Sequence, residues 1–151
     1  MAHRELSSEE TQQVLASEQV VRIAFHDGMS HYLIPLGYVW LRSALYGITE
    51  RGRKTEMAQA RPSVAFQIDT SSSTGLFEWR SVTGEGQFEI VMDASEKQEV
   101  LVALQPVIES APDWWQRDQG PRMAAGELEV WKVTATETHG RLYGPPSTGS
   151  L

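Results

Sequence analysis

The sequence predicts an α+β domain in which a mainly antiparallel, six-stranded β-barrel is flanked by two or three helices. Apolar stretches of strand length follow one another with short turn-forming connections. They do not alternate with helices, as the strands of a parallel doubly wound sheet would. Two or three further segments have helix-capping residues and helical spacing of apolar residues. The chain of 151 residues is therefore predicted to be a single domain, 1–151.

The first predicted elements are a helix and a β-hairpin. Ser7, followed three residues later by Glu10, is a capping-box pattern and predicts a helix over about residues 8–17. The apolar stretch 19–25 predicts a strand, and the Asp27–Gly28 pair behind it is typical of a hairpin turn.

The most apolar stretch of the chain covers residues 31–41. Both sets of alternate residues are apolar, which predicts a strand that is buried on both sides, with one face toward a barrel interior. Pro35 and Gly37 weaken the regular ladder and indicate a bulge or the approach of a ligand. A small barrel alone would struggle to cover both faces, so this strand also predicts a homodimer.

The remaining elements are read from turn residues and apolar spacing. Further strands are predicted over 44–49, 63–69, 78–92 and 127–136, and loops over 70–75 and 111–122. A short helix over 53–60 should end at Pro62, and a longer helix should begin after Asp93 and kink or end at Pro106. The Gly-, Pro- and Ser-rich tail is expected to be loose from about residue 144.

The start of the short helix has an unexpected charge. Arg51, Arg53 and Lys54 lie there, although a helix N-terminus carries partial positive charge and favours acidic residues. Free N–H groups and these cations would together bind an anion such as a phosphate. The alternative is a solvated basic turn whose cations pair with Glu50 and Glu56.

Composition excludes several classes of function. The net charge of −7 disfavours a general nucleic-acid binder, and no apolar run approaches the ~20 residues that cross a bilayer. There is no cysteine, so neither disulfides nor thiolate chemistry is available, and a cytoplasmic location is expected.

Metal binding and nucleophilic hydrolysis are likewise not predicted. The histidines lack metal-ligand spacing; His26 and His31 flank the hairpin turn and are more simply a surface pair. Neither a G-x-S-x-G motif nor a P-loop occurs.

Four stretches, in this order and spacing, resemble the FMN-binding split-barrel family. They are RELSSEE, VVRIAFHDGMSHYLIPLGYVW, LYGITERGRKTEMAQARPSVAFQID and WRSVTGEGQFEIV, which together run from about Arg4 to Met92. The family includes pyridoxamine 5′-phosphate oxidase and the nitroimidazole-reductase-like proteins, and the chain is similar to the smaller, reductase-like branch. The resemblance implies a split barrel with FMN bound at a homodimer interface.

The resemblance also implies which residues bind the cofactor. They are Ile34, Pro35, Leu36 and Gly37 along the flavin ring, Ile48 and Thr49 beside it, Arg53 and Lys54 at the phosphate, and Ser81 and Val82 on a second flavin-contacting strand. Many reductase-like relatives carry a histidine where this chain has Ile48. The substrate-binding arginine motif of vitamin B6 oxidases is echoed only near Arg141, so vitamin B6 oxidation is not expected.

The function implied by the resemblance is an FMN-dependent oxidoreductase, and no side chain is assigned as a catalytic residue. A reduced nicotinamide would donate electrons through the flavin to a small organic acceptor. Trp114 and Trp115 either cover a flavin pocket from the neighbouring subunit or pack at its rim. Two alternatives remain: the same fold with a deazaflavin or haem, and a non-catalytic dimeric binding module.

Overall fold

The chain forms a curled antiparallel sheet with helices packed against it in the computed structural model, which describes residues 3–145. The strands are β1 (His3–Glu5), β2 (Val20–His26), β3 (His31–Gly37), β4 (Val39–Leu41), β5 (Ala44–Thr49), β6 (Ser63–Asp69), β7 (Trp79–Ile90) and β8 (Glu129–Tyr143). The helices are α1 (Ser8–Ser17), α2 (Arg53–Ala60), α3 (Ser71–Thr74), α4 (Ala94–Glu109) and α5 (Asp113–Ala124). Most of the tail that was predicted to be loose lies outside the described residues.

The segment 31–41 curls the sheet into a half-barrel. The strand order is β3-β2-β6-β7-β8-β5-β4, with β1 added on β8, so the consecutive strands β3 and β4 lie at opposite ends of the sheet. The pairing of β3 with β2 ends at Gly37, and the chain turns away at Tyr38. The Tyr38 N–H donates to the Gln19 carbonyl (3.0 Å), and its hydroxyl donates to the Leu15 carbonyl (2.8 Å). The predicted α+β barrel class is confirmed. The described residues form eight strands rather than six, because 31–41 divides at Tyr38 and β1 was not predicted.

The predicted burial of 31–41 on both sides is wrong for the β3 part of the single chain, whereas in β4 Trp40 packs against one apolar cluster and Val39 and Leu41 pack against the other. Tyr32, Ile34 and Leu36 pack against the core, but the other face of β3 is open and Leu33 is 66% exposed. The physical reason is position: β3 is the edge strand of the sheet, and no element within residues 3–145 covers its outer face.

Two apolar clusters hold the sheet and helices together. The barrel interior is filled by large side chains such as Phe25, Leu45 and Trp131. On the opposite face of β5 and β8, Tyr46 and Val130 pack against Val100 and Leu104 of α4. β5 is therefore buried on both sides, which fixes the position of its C-terminal end.

Local signals explain the helices that were predicted. The Ser7–Glu10 capping box is present, and α1 and α2 have the predicted bounds. Asp93 caps α4 by accepting from the Glu96 N–H (2.8 Å). The helix does not end at Pro106 but continues to Glu109, since only one intrahelical N–H donor is lost there and the Ser110 N–H still bonds the Pro106 carbonyl (3.2 Å).

Residues 111–122 were predicted to be a loop, and this is wrong. They form most of α5, which begins when the Pro112 carbonyl accepts from the N–H groups of Trp115 (2.9 Å) and Gln116 (3.1 Å). The Gln116 side chain also bonds the Ile108 carbonyl of α4. These contacts with α4 stabilise a segment whose own apolar spacing is weak.

Two smaller predictions also needed correction. The predicted loop 70–75 contains the single-turn helix α3, because Asp69 accepts from the Ser71 N–H (2.8 Å) and starts the turn. The last strand extends past residue 136 to Tyr143, since its polar second half pairs with both β7 and β1.

Within residues 3–145, the structure contains no helix with the length and apolarity that a membrane crossing requires.

Candidate functional site

The start of α2, the end of β5 and the inner face of β3 meet at one place. β5 ends at Thr49, which is 7% exposed, and α2 begins four residues later at Arg53. The Arg53 guanidinium lies 4.6 Å from the centre of the Tyr32 ring on β3, in a cation–π contact. This contact places the first turn of α2 beside the strand that the resemblance assigns to the flavin ring.

The first turn of α2 is open to an anion. Gly52 precedes the helix and has no side chain with which to cap the first N–H groups. The Thr55 hydroxyl instead folds back and accepts from the Gly52 N–H (2.9 Å). A side-chain carbon at Gly52 would meet no atom within 4 Å, so the space in front of the helix is unfilled by the described chain. Free N–H groups and the helix dipole favour a negative ligand here.

The two cations expected to bind a phosphate have no carboxylate partner among the described residues. Neither Arg53 nor Lys54 forms an ion pair within residues 3–145, whereas Arg51 pairs with Glu129 (2.6 Å). Glu50, a partner in the solvated-turn alternative, is instead bound by Arg122 (2.7 Å). The structure therefore leaves both cations available for an external anion.

Partial burial affects the Lys54 ammonium directly. Desolvation lowers the pKa of Lys54 from its ordinary value, and the nearby negative charge of Glu50 opposes that shift. A partly desolvated cation gains more from an anionic ligand than a fully hydrated one does.

A cavity of about 470 Å³ adjoins this site. It lies between the ends of β3 and β5 and the two helices α4 and α5, and its lining is mostly apolar. Gly37, Ile48 and Thr49 line it from the sheet, and Trp115 lines it from α5. Trp114 is not part of the lining and is 64% exposed. Of the paired tryptophans, Trp115 therefore borders a cavity of its own chain.

The structure brings most of the predicted site residues together, but not all of them. Ile34, Leu36 and Gly37 lie on β3, with Pro35 on its outer face. Val82 is fully buried in the barrel interior, on β7. The strand order puts two strands between β7 and β3, a separation of about 14 Å along the sheet.

Ser81 lies on the opposite face of β7 from Val82. It accepts a hydrogen bond from the Gln67 amide (3.2 Å), beside Asp69 of β6. Within one chain, the predicted flavin contacts Ser81 and Val82 are thus apart from the predicted ring-binding residues of β3.

The histidine pair has the geometry expected of a hairpin. The rings of His26 and His31 are 4.6 Å apart, and the His26 Nδ1 accepts from the Gly28 N–H (3.0 Å). No group of three or more metal-ligating side chains occurs in the part of the chain that the structure describes.

Sequence reasoning missed two contributors to this site, Tyr32 and Arg122. Tyr32 could have been found, since it shares the inner face of β3 with Ile34 and Leu36. The pairing of Arg122 with Glu50 left no local signal, because the two residues are far apart in the chain.

Solved structures that share this fold include proteins named for different ligands, FAD and heme. An FAD-binding protein from Mesorhizobium loti is 25% identical, with a TM-score of 0.78 over 95% of this chain and 100% of the other. A putative 5-nitroimidazole antibiotic resistance protein from Bacteroides thetaiotaomicron is 16% identical, with a TM-score of 0.68 over 95% and 90%. The heme storage protein HutZ from Vibrio cholerae is 11% identical, with a TM-score of 0.65 over 91% and 96%. The last two likenesses concern the fold alone.

The sequence itself identifies the family. The model of the family described as pyridoxamine 5′-phosphate oxidase matches residues 7–142, which include every strand and helix described except β1 and the last residue of β8. The resemblance found in the sequence is confirmed, and the chain belongs to the pyridoxamine 5′-phosphate oxidase family.

Proposed function

We propose that the protein binds a flavin nucleotide, FMN, and acts as an oxidoreductase that passes electrons from a reduced nicotinamide to a small organic acceptor. The observation that carries the proposal is the pair of cations, Arg53 and Lys54, without a carboxylate partner among the described residues at an uncapped helix start. Membership of the family and the likeness to an FAD-binding protein support the choice of a flavin.

The residues present fit a molecule with a phosphate at one end and a flat apolar body. Arg53, Lys54 and the first N–H groups of α2 would hold the phosphate, and the Thr49 hydroxyl lies at the adjoining strand end. The cavity beside Gly37 and Ile48 offers apolar walls to the ring. Phosphate and ring would therefore bind to different elements of the same chain.

The bound flavin would supply the transfer of hydride or single electrons, and the chain would position it and exclude water. Within the described cavity lining, Glu50 is the single carboxylate, and it is paired with Arg122. The hydroxyl of Tyr38 is committed to the Leu15 carbonyl, and burial raises the pKa of this group further. Protons are therefore expected from solvent or from the acceptor.

A haem is less well matched to these residues. Haem iron requires an axial ligand such as histidine, cysteine, methionine or tyrosine. The described lining of the cavity includes no histidine or methionine, the chain has no cysteine, and Tyr38 is committed to the Leu15 carbonyl.

The phosphate assignment is tested by replacing both cations. In Arg53→Ala/Lys54→Ala, FMN should bind about tenfold or more weakly per residue, because charge-assisted hydrogen bonds are lost. Riboflavin, which has no phosphate, should bind as it does to the wild type. Flavin fluorescence titrations measure both affinities.

Arg61→Ala is the matched control, since Arg61 follows the other end of α2 and also lacks an ion pair within residues 3–145. It should leave the affinity for FMN unchanged. Equal FMN affinity in the wild type and the double variant would exclude the phosphate site.

A further inference from the structure

The ion pair between Glu50 and Arg122 lies beside the phosphate site without belonging to it. The Glu50 carboxylate accepts from the Arg122 guanidinium (2.7 Å) and from the Gln119 amide (3.1 Å), both on α5. The two charged side chains are 49% and 44% exposed. Ion pairs with this exposure contribute little to stability. Stabilisation of the fold is thus a weak reason for the pair.

The position of Glu50 creates an electrostatic problem for an anionic ligand. Glu50 lies in the loop that leads to Arg53 and Lys54, and its charge acts on the Lys54 ammonium. A carboxylate without a partner at this place would pair with Lys54 and would also repel a phosphate. Both effects would weaken the site that the cations form.

We propose that Arg122 is a positioning residue for the phosphate of the flavin nucleotide: it holds the Glu50 carboxylate toward α5 and neutralises it, so that Lys54 stays available. Arg122 acts through Glu50, and the Gln119 amide supports the same orientation. This inference rests on the proposed function, because it assumes that the phosphate binds at the start of α2.

The arrangement couples α5 to the phosphate. If α5 must be docked for Glu50 to be neutralised, then a bound phosphate must in turn favour the docked position of α5. The helix that walls the cavity through Trp115 is the same helix that carries Arg122. Occupation of the phosphate site would therefore favour a closed cavity.

The test uses the full chain and flavin fluorescence titrations of Arg122→Met, which removes the charge but keeps an unbranched apolar stem and a similar helix propensity. FMN should bind about threefold to tenfold more weakly, the size expected for one uncompensated charge several ångströms from a phosphate in water. Riboflavin should bind as before. The loss should shrink in high salt.

A second variant isolates the role of Glu50. In Glu50→Gln/Arg122→Met the repelling charge is gone, so the affinity for FMN should return to the wild-type value. Arg117→Met is the matched control, since Arg117 is an exposed arginine of α5 without an ion pair in the described part of the chain. It should bind FMN like the wild type.

Three results would overturn the role of Arg122: unchanged FMN affinity in Arg122→Met, an equal loss for FMN and riboflavin, or no recovery in the double variant. A wild type that binds FMN no better than riboflavin would overturn the proposed function and this role together. Because Arg53→Ala/Lys54→Ala tests the phosphate site alone, the two failures are distinguishable.

Discussion

Gly47 is a residue at which two strands of the barrel approach each other closely. A side-chain carbon at this position would lie 2.6 Å from the Gly37 carbonyl oxygen and 2.6 Å from the Trp131 ring. Neither neighbour can move easily, since one is backbone and the other is fully buried. Gly47 therefore allows β5 to approach β3 on the inside of the barrel.

The first prediction concerns this close approach. Gly47→Ala should lower the free energy of unfolding by about 1–3 kcal/mol or more, because the methyl group overpacks the core. Gly52→Ala is the control, since Gly52 is extended (φ 173°) and its side-chain position is open. Urea denaturation measures both. A Gly47→Ala protein as stable as Gly52→Ala would contradict the packing described.

Sequence reasoning at the residue scale depends on signals that lie within one segment of the chain. Arg53 and Lys54 were recognisable because three cations at a helix start oppose the dipole, and such an arrangement needs a reason. The pairing of Glu50 with Arg122 was not recognisable, because neither residue is unusual in its own segment. Contacts of that kind depend on the fold that brings the segments together.

At the scale of elements, a polar network fastens α4 to the sheet. Glu96 of α4 accepts from the Tyr46 hydroxyl (2.6 Å) and from the Lys132 ammonium (2.9 Å). These bonds lower the pKa of Glu96, with the Tyr46 bond the larger cause, and the bond to Glu96 raises the pKa of Lys132. The network stabilises the face of β5 opposite the barrel interior.

The second prediction is a pH dependence of stability. Because the pKa of Glu96 is lowered on folding, its contribution is complete above the unfolded value of about 4.3 and is lost as pH falls through the folded value. Glu96→Gln should lower the free energy of unfolding by about 1–2 kcal/mol near neutral pH. The difference from the wild type should shrink toward zero in acid.

The contribution of Lys132 to stability depends on pH in the opposite direction, since it is lost at high pH. The raised pKa of Lys132 makes its contribution complete below about pH 10.4 and lost as pH rises through the folded value. Glu99→Gln is the matched control on α4, since Glu99 pairs with Arg42 at a more exposed position. Denaturation curves at several pH values should show almost no effect of that change. A pH-independent loss in Glu96→Gln would refute the network's role.

The third prediction separates the two tryptophans of α5. Trp115→Ala should weaken the binding of FMN and of riboflavin by the same factor, about threefold to tenfold, because an aromatic wall of the proposed ring cavity is lost. Trp114→Ala should change neither affinity, since Trp114 is 64% exposed. Loss of FMN affinity alone in Trp115→Ala would contradict a contact with the ring.

The element that sequence reasoning misjudged most was α5. Its proline and glycine residues and its weak apolar spacing predicted a loop, and nothing local opposed that view. The helix depends on contacts with α4, such as the bond between the Gln116 side chain and the Ile108 carbonyl. Elements with strong local signals, such as α1, β5 and α2, were predicted at their observed bounds.

The molecule as a whole presents an uncovered apolar face at the β3 edge. Leu33 and Val20 are 66% and 46% exposed there, and Met29 at the hairpin tip is 96% exposed. The outer apolar face of β3 is therefore left uncovered within residues 3–145. A second copy covering this face would bury it, and stable dimers bury on the order of 2,000 Å² or more.

The fourth prediction tests this association in solution. The wild type should sediment as a dimer at micromolar concentration, and Leu33→Glu should shift it toward the monomer, because a charge would be buried in the interface. Val102→Glu on α4 is the control, since Val102 is similarly exposed (62%) but lies on another element. A wild type that sediments as a monomer would contradict the dimer.

The place of β5 in the sheet also determines when its strand pairing can be completed during synthesis. Its strand neighbours in the described sheet are β4 and β8, and Thr49 faces Glu129 across the second of these pairings. A ribosome releases β8 last among the described strands, so the edge of β5 that pairs with β8 stays unpaired until then. Pairing between such distant segments is slow. The cavity at the end of β5 is therefore completed only after β8 has emerged from the ribosome.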